Sequence, residues 1–317
     1  MQIQELNRAL GIKRIVIWGL RSVFNDSYRF VQGGFYLTLQ KLGIPVVWVD
    51  DSVANINFIQ AGDLVFIANR AMQHLPMIEG VKYCLHNVDS TFFESLDPSQ
   101  YMRLQILTKE RFPSDEQKQE GVNPALHGAA YFEKETNVLY QCWGAPLLAR
   151  EFYSPMNLEY KKSEYFVGTI WDNELGQGNS KVIPVYQSEL QKRGINFLLV
   201  QGAPERINPL YVRHAAVGAS IVGNWQREVS YAPCRLFKAV SFGRLGLINS
   251  NGVAQAHPWA ICNENIPELV DYAFSLTPKQ NKELIVYQQS FVAKETYESK
   301  IHNILQVLLG NQSANSH

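Results

Sequence analysis

Residues 228–250, EVSYAPCRLFKAVSFGRLGLINS, are the stretch that decides the fold. A short loop leads into an amphipathic helical segment that carries Arg235 and Lys238, Gly243 ends that segment, and an apolar strand follows over residues 245–249. The N-terminus of a helix presents unpaired N–H groups and the positive end of the helix dipole, which favours an anion such as phosphate. Two cations in the first turns oppose that dipole unless an anion lies beside them, so the stretch fits either a phosphate site or a solvated helix with two ordinary surface cations.

Short apolar strands alternate with helices on both sides of this stretch. The predicted strands are residues 14–18, 45–49, 63–68, 82–85, 103–108, 137–142, 165–171, 195–200 and 219–224. The predicted helices are residues 28–42, 180–193, 208–216, 266–276, 278–291 and 293–309. Such alternation predicts an α/β fold, in which parallel sheets are covered by helices on both faces.

The 317 residues are enough for two domains of ordinary size. Residues 143–163 contain several Pro, Ser and Lys residues and resemble a connector. We therefore expect an N-terminal domain over residues 1–160, a C-terminal domain over residues 161–310, and a flexible polar tail over residues 311–317.

Composition narrows the class of protein. Lys and Arg together number 29, as do Asp and Glu, and this neutral balance argues against a surface that coats nucleic acid. No apolar run approaches the roughly 18 residues of a membrane span, and the first residues, MQIQELNRALGIKR, lack the uninterrupted apolar stretch of a signal peptide. The four cysteines are far apart and form no CxxC pair, which favours reduced thiols in a reducing compartment. We therefore expect a cytoplasmic protein.

Residues 165–250 resemble the donor domain of the GT-B-fold glycosyltransferases. Such a domain opens with a strand that ends in a glycine-containing loop, matched by residues 167–169 (VGT), and its next strand ends in a small polar turn, matched by residues 201–202 (QG). A later strand leads to contacts with the nucleotide base, matched by residues 223–225 (GNW), and a helix ending in glycine follows, matched by residues 237–243 (FKAVSFG).

This resemblance implies two facing Rossmann-like domains, with a C-terminal helix that returns to the first domain. It also implies a hexosyl- or pentosyltransferase that moves a sugar from a nucleotide-diphosphate sugar to a glycan or other hydroxyl acceptor, without a cofactor or metal. Cations would neutralise the departing diphosphate in place of a metal ion. The donor-binding residues that the resemblance implies are Gly168, Thr169, Gln201, Gly202, Asn224, Trp225, Tyr231, Arg235 and Lys238.

One departure from the family pattern bears on the mechanism. Many retaining GT-B enzymes have two glutamates eight positions apart, whereas this chain has Ser230 and Lys238 at the corresponding positions. A cation in the second position fits direct binding of the diphosphate, and we therefore expect inverting transfer. For Asn224, Trp225 and Tyr231, packing in the protein interior is an equally good interpretation.

An inverting enzyme needs one general base near the acceptor hydroxyl. The resemblance implies that this base lies in the first domain, and two loops after predicted strands supply candidates, Asp26 and His86. Asp26 is also placed to cap the helix over residues 28–42, and His86 also fits an ordinary loop histidine. Asp50 and Asp51 follow a strand, as a metal-binding or ribose-binding pair would, but a polar strand end is the simpler interpretation.

Two other classes of protein remain open. A GT-B-like nucleotide-sugar epimerase or phosphorylase would bind the same donor, and a non-enzymatic two-domain protein would bind a small ligand without turnover. The expected partners of the leading hypothesis are a nucleotide sugar and a hydroxyl acceptor, with no nucleic acid and no membrane-spanning segment. The sequence leaves the oligomeric state open.

Overall fold

The computed structural model describes residues 2–23, 27–68, 71, 73–86, 97, 99–105, 130–156, 161–204 and 206–314. The strands are β1 (Arg14–Trp18), β2 (Val46–Val49), β3 (Asp63–Ala68), β4 (Lys82–His86), β5 (Tyr101–Gln105), β6 (Tyr131–Glu133), β7 (Val138–Tyr140), β8 (Ser163–Val167), β9 (Asn196–Val200), β10 (Leu247–Ile248) and β11 (Ile261–Cys262). The α-helices are α1 (Ile3–Ala9), α2 (Ser27–Lys41), α3 (Val182–Gln191), α4 (Asn208–His214), α5 (Asn224–Glu228), α6 (Cys234–Ser241), α7 (Asn251–Ala256), α8 (Ile266–Ser275), α9 (Pro278–Val292) and α10 (Tyr297–Ala314).

The first seven strands form one sheet in the order β2-β1-β3-β4-β5-β7-β6. All neighbours pair in parallel except β6 with β7, which are antiparallel. The central strands β1, β3 and β4 are almost entirely buried, as near-continuous apolar runs require when both faces of a parallel sheet are covered. The sequence therefore predicts these strands well, because a strand that is buried on both faces has to be apolar along its whole length.

The last helix packs on this first sheet, as the family resemblance predicted. Its side chains Ile301 and Leu305 share one apolar cluster with Ile15 of β1 and Leu39 of α2. Gly34 of α2 leaves the space that the ring of Tyr297 fills, since a Cβ at position 34 would lie 2.8 Å from Tyr297 Cδ2. The C-terminal helix is thus an integral part of the first core.

Two further pairs of parallel strands follow in the second half of the chain, β8 with β9 and β10 with β11. The strand predicted over residues 219–224 is reduced to a single bridge between Ser220 and Ile248. The reason is that the Asn249 side chain accepts from Val222 N at 2.8 Å and donates to Val222 O at 3.1 Å. Both backbone groups of Val222 are therefore used, and the ladder ends there.

Side chains also end other predicted elements early. The strand predicted over residues 165–171 stops at Val167, because the Asn179 side chain binds Thr169 O and Trp171 N at 3.0 and 2.9 Å. The predicted helix over residues 293–309 begins only at Tyr297 and continues to Ala314, so the first part of the predicted tail is helical.

None of the helices among the described residues is both long and apolar enough to span a membrane. All four cysteines, which are within the described ranges, are free thiols.

We predict that Gly34→Ala lowers the free energy of unfolding by about 1–3 kcal/mol, because the added methyl group overlaps the Tyr297 ring. Gly310→Ala, in α10, is the matched control, since a Cβ at position 310 meets nothing within 4 Å. That control should raise stability by roughly 0.5–1 kcal/mol, because alanine is the better helix former. Urea unfolding of both variants measures the difference, and equal effects would mean that α10 does not pack closely on α2.

Candidate donor-binding site

Helix α6 begins without a side-chain cap. Pro233 occupies the N-cap position, and proline carries no side-chain acceptor for the free N–H groups of the first turn. In the preceding loop, Ser230 has a φ of 56°, a left-handed conformation that non-glycine residues seldom adopt. The loop before α6 thus contains an unfavourable backbone conformation. The helix that follows has free N–H groups at its N-terminus, and such groups can bind an anion.

Arg235 lies in the first turn of α6, and its guanidinium is held against the end of β8. Its Nη2 donates to Ile221 O at 3.0 Å, and its Cζ lies 4.3 Å from the centroid of the Phe166 ring. A Cβ at Gly168 would lie 2.6 Å from Arg235 Nη1, so glycine at this position leaves room for the guanidinium. The structure therefore brings together Arg235 and Gly168, two of the predicted donor-binding residues.

The positive charge of Arg235 has no acidic partner among the described residues. No Asp or Glu oxygen of the described residues comes within 4.0 Å of its guanidinium. Burial lowers the pKa of Arg235, because an apolar environment disfavours the charged form, while the nearby Cys234, Tyr231 and Tyr186 act in the opposite direction. An anion bound beside this guanidinium would remove that electrostatic cost.

Lys238 lies three residues further along α6 and faces a different part of the molecule. Only 7% of Lys238 is exposed, and its Nζ lies 5.7 Å from the centroid of the Phe30 ring in α2. Within the described ranges its ammonium makes no hydrogen bond or ion pair. The Lys238 side chain is thus mostly enclosed by protein, and its ammonium lies beside an aromatic ring, where a bound anion would add a favourable charge interaction.

The position of Lys238 corrects one detail of the sequence prediction. Because α6 has eight residues, Lys238 belongs to its last turn and not to its first, so it does not oppose the helix dipole. Helical side chains lean toward the helix N-terminus, which brings its long side chain back toward the first turn. The two cations therefore flank α6, with Arg235 against β8 and Lys238 against α2.

A row of rings links the first sheet to the region around α6. Trp143 Nε1 donates to the hydroxyl of Tyr231 at 2.7 Å, and the ring of Tyr231 lies 6.2 Å from that of Trp225 in α5. On the other side, the Trp143 ring meets the ring of His86 edge-on at 5.0 Å. Two predicted donor-binding residues, Tyr231 and Trp225, thus pack together, and Tyr231 connects them to Trp143.

The remaining predicted donor-binding residues lie at the start of α5 and on the loops that follow β8 and β9. Asn224 and Trp225 begin α5, and Trp225 N donates to Gln177 O at 3.1 Å, which joins α5 to the loop after β8. Thr169 is exposed on that loop, and Gln201 and Gly202 are exposed just after β9. Because Gly168 N donates to Val200 O at 3.1 Å, these two strand ends lie next to each other. The structure shows no contact between Gln201 or Gly202 and the two cations of α6.

Of the two candidate bases, only His86 lies among the residues that the structure describes. His86 ends β4 and is fully buried beneath Trp143. Asp26 lies outside the described residues. Asp50 accepts hydrogen bonds from Ser22, and Asp51 accepts one from the indole of Trp18, so both carboxylates are engaged in holding loops, in agreement with the polar strand end that we favoured.

Sequence reasoning missed three residues that shape this site. Phe166 supports the Arg235 guanidinium, Phe30 faces Lys238, and Trp143 binds Tyr231. Phe166 and Phe30 fit the apolar patterns of a strand and a helix, so nothing in the sequence sets them apart from core residues. The alternation of side chains along β8 could have indicated that Phe166 and Gly168 share one face of the strand.

One buried carboxylate, that of Glu164, forms hydrogen bonds in the same half of the chain but lies outside the candidate site. Glu164 of β8 is buried and accepts hydrogen bonds from Val217 N at 2.8 Å and Tyr186 Oη at 2.9 Å. Burial raises the pKa of Glu164, which these hydrogen bonds and the nearby Arg244 counteract. Glu164 therefore anchors the start of β8, while the end of the same strand carries the predicted phosphate loop.

Solved structures show what this fold resembles. The chain superposes on trehalose-6-phosphate synthase, in a structure that addresses enzymatic glycosyl transfer with retention, with a TM-score of 0.50 and 9% identity over 93% of this chain and 98% of that one. It also superposes on the N-terminal domain of Candida albicans trehalose-6-phosphate phosphatase, with a TM-score of 0.49 and 11% identity over 94% and 97% of the two chains. Neither a protein-family model nor a curated protein sequence matches this chain.

The likeness to the synthase concerns the fold alone. It shows that this chain has a GT-B-like fold, which confirms the fold class that the sequence resemblance predicted.

We predict that Tyr231→Phe lowers the free energy of unfolding by about 1–3 kcal/mol, because the buried Trp143 indole N–H loses its acceptor. Tyr36→Phe is the matched control, since the Tyr36 hydroxyl accepts only an exposed hydrogen bond from Gln40. This control should change stability by less than about 0.5 kcal/mol. Chemical denaturation compares the two, and a neutral Tyr231→Phe would contradict a structural role for this bond.

Proposed function

We propose that this chain is a glycosyltransferase that moves a sugar from a nucleotide-diphosphate sugar to a glycan or other hydroxyl acceptor. One observation carries the proposal: Lys238 is 7% exposed and lacks a partner among the described residues, on the same helix as Arg235. Two cations flanking an uncapped helix are the arrangement that a diphosphate would stabilise. The GT-B-like fold supports the same assignment.

Each element of the site has a role in donor binding. The planar guanidinium of Arg235 would grip two phosphate oxygens, and the compact ammonium of Lys238 would add a point charge. Gly168 lets the backbone after β8 approach the ligand closely, with Thr169, Gln201 and Gly202 on the adjoining loops. Asn224 and Trp225 would bind the base by hydrogen bonding and stacking. Tyr231, whose hydroxyl accepts a hydrogen bond from Trp143, would contact a phosphate or sugar hydroxyl.

The proposed reaction is inverting and independent of metal ions. The acceptor oxygen attacks the anomeric carbon, the bond from that carbon to the diphosphate breaks, and the acceptor proton passes to a general base. Arg235 and Lys238 would neutralise the charge that develops on the departing diphosphate. We assign residues 1–160 to the acceptor and residues 161–310 to the donor.

Of the two candidate bases, Asp26 fits the proposal better. In the sequence it is the residue that precedes α2. His86, by contrast, is buried under Trp143. In the proposal Asp26 takes the acceptor proton, and His86 is the alternative base that the experiments below distinguish.

Thermal shifts with UDP, GDP, dTDP and CMP sugars should identify the donor, because a ligand that binds the folded state raises its melting temperature. We expect one nucleotide to give a selective rise. Lys238→Met should abolish the rise while leaving the unliganded melting temperature nearly unchanged, since methionine removes the charge and keeps most of the enclosed apolar side chain. Lys282→Met, on the exposed side of α9, is the matched control and should keep the rise. Equal shifts in all three proteins would contradict a phosphate site on α6.

With the donor known, NMR of the first product formed reports the anomeric configuration, and we expect inversion. Asp26→Asn should lower kcat by about 10²–10⁴-fold, because a general base typically contributes that much. The donor-induced thermal shift should stay intact in this variant, which separates catalysis from binding. Retention of configuration, or a larger loss of kcat in His86→Gln than in Asp26→Asn, would overturn the assigned mechanism.

A further inference from the structure

Strand β9 has an open edge. Among the residues that the structure describes, β9 pairs only with β8, and no other strand lies along its outer side. Leu198 and Leu199 of this strand are 44% and 43% exposed. Val185 of α3 is also 44% exposed, and α3 packs on β9 through a contact between the rings of Tyr186 and Phe197. The edge is therefore both unpaired and apolar.

The hydrogen bonds to β8 show which backbone groups point outward. Asn196 N donates to Lys162 O at 2.8 Å, and Val200 O accepts from Gly168 N at 3.1 Å. Because the bonding residues alternate along a parallel ladder, Leu198 also bonds toward β8. Phe197 and Leu199 consequently direct their N–H and C=O groups to the open edge, where four backbone groups are available for another strand.

This edge lacks the devices by which proteins usually prevent strand addition. Residues 194–204, GINFLLVQGAP, contain no charged side chain, and the only proline follows the strand. Natural edge strands are commonly protected by lysines, prolines or bulges, or are covered by another segment. A long uncharged edge with exposed leucines is typical of a strand that pairs with a partner.

We propose that β9 pairs with β9 of a second copy of this chain, antiparallel and about a two-fold axis at Leu198. In this register Phe197 of each copy lies opposite Leu199 of the other, and the four outward groups of each copy form four hydrogen bonds across the edge. Leu198 faces its own counterpart at a non-hydrogen-bonded position. The two short sheets become one sheet of four strands, with both α3 helices on the same face.

A second copy fits this edge because the pattern is complementary to itself. The outward-bonding residues lie symmetrically on either side of Leu198, so one two-fold axis satisfies all of them. Every cross-strand pair in this register, out to Gly194 and Gly202, joins uncharged side chains, so no like charges oppose each other. Such an isologous contact forms a closed dimer and leaves no open β9 edge.

Light scattering after size exclusion tests the dimer in the full chain. We expect the unmodified protein to have twice the 36.1 kDa monomer mass at micromolar concentration. Leu198→Lys places two ammonium groups face to face at the axis and should weaken association at least about tenfold. Val53→Lys is the matched control, because Val53 is also an exposed apolar residue but lies in the short helix Val53–Phe58 next to the first sheet. A monomeric parent, or a dimer unaffected by Leu198→Lys, would refute the pairing.

Crosslinking tests the register independently of stability. The Cα atoms of a non-hydrogen-bonded antiparallel pair are about 4.5 Å apart, within the range that a disulfide spans. Leu198→Cys should therefore form a reducible covalent dimer on mild oxidation, whereas Leu199→Cys, which lies opposite Phe197, should not. In hydrogen exchange, the amides of Phe197 and Leu199 should be protected in the dimer and lose protection in Leu198→Lys. Crosslinking of Leu199→Cys alone, or protection of both amides in a monomer, would rule out this interface.

Discussion

Two positive charges held in poorly hydrated surroundings are the constraint on which the second half of this molecule depends. Arg235 and Lys238 extend from one short helix toward β8 and α2, respectively, and no carboxylate of the described residues compensates either of them. Holding them there requires a glycine at position 168, a carbonyl at Ile221 and aromatic faces beneath both charges. In the function proposed above, a bound diphosphate compensates both charges.

Side-chain amides shape the loops around these charges. Asn249 takes both backbone groups of Val222, and Asn179 takes one backbone group each from Thr169 and Trp171. In each case an amide replaces the next strand residue as a hydrogen-bonding partner, so the strand ends and a loop begins at a defined place. The loops that carry the candidate site are therefore held by buried polar groups and are not merely connections between strands.

The sequence predicted the central strands of the first sheet closely, because β1 and β3 are apolar runs buried on both faces. It did not predict the edge strand β6, which has only three residues. It also predicted the pairing of a glycine loop with Arg235, since the family resemblance placed both at one ligand. It did not predict that Asn249 would end a strand, or that His86 would be covered by Trp143. Those outcomes depend on contacts between residues distant in the chain, and local periodicity carries no information about such contacts.

Because α10 packs on the first sheet, the backbone connects the first sheet to the second half of the chain at two places. These two connecting segments are in contact with each other. Ala145, on the outward passage, donates to Glu295 O at 2.7 Å, and its own carbonyl accepts from Tyr297 N at 3.0 Å on the way back. Lys300 adds a buried ion pair with Glu295 at the same place. The two backbone segments that join the halves are therefore bonded to each other, so the connection behaves as one paired strap instead of two independent linkers.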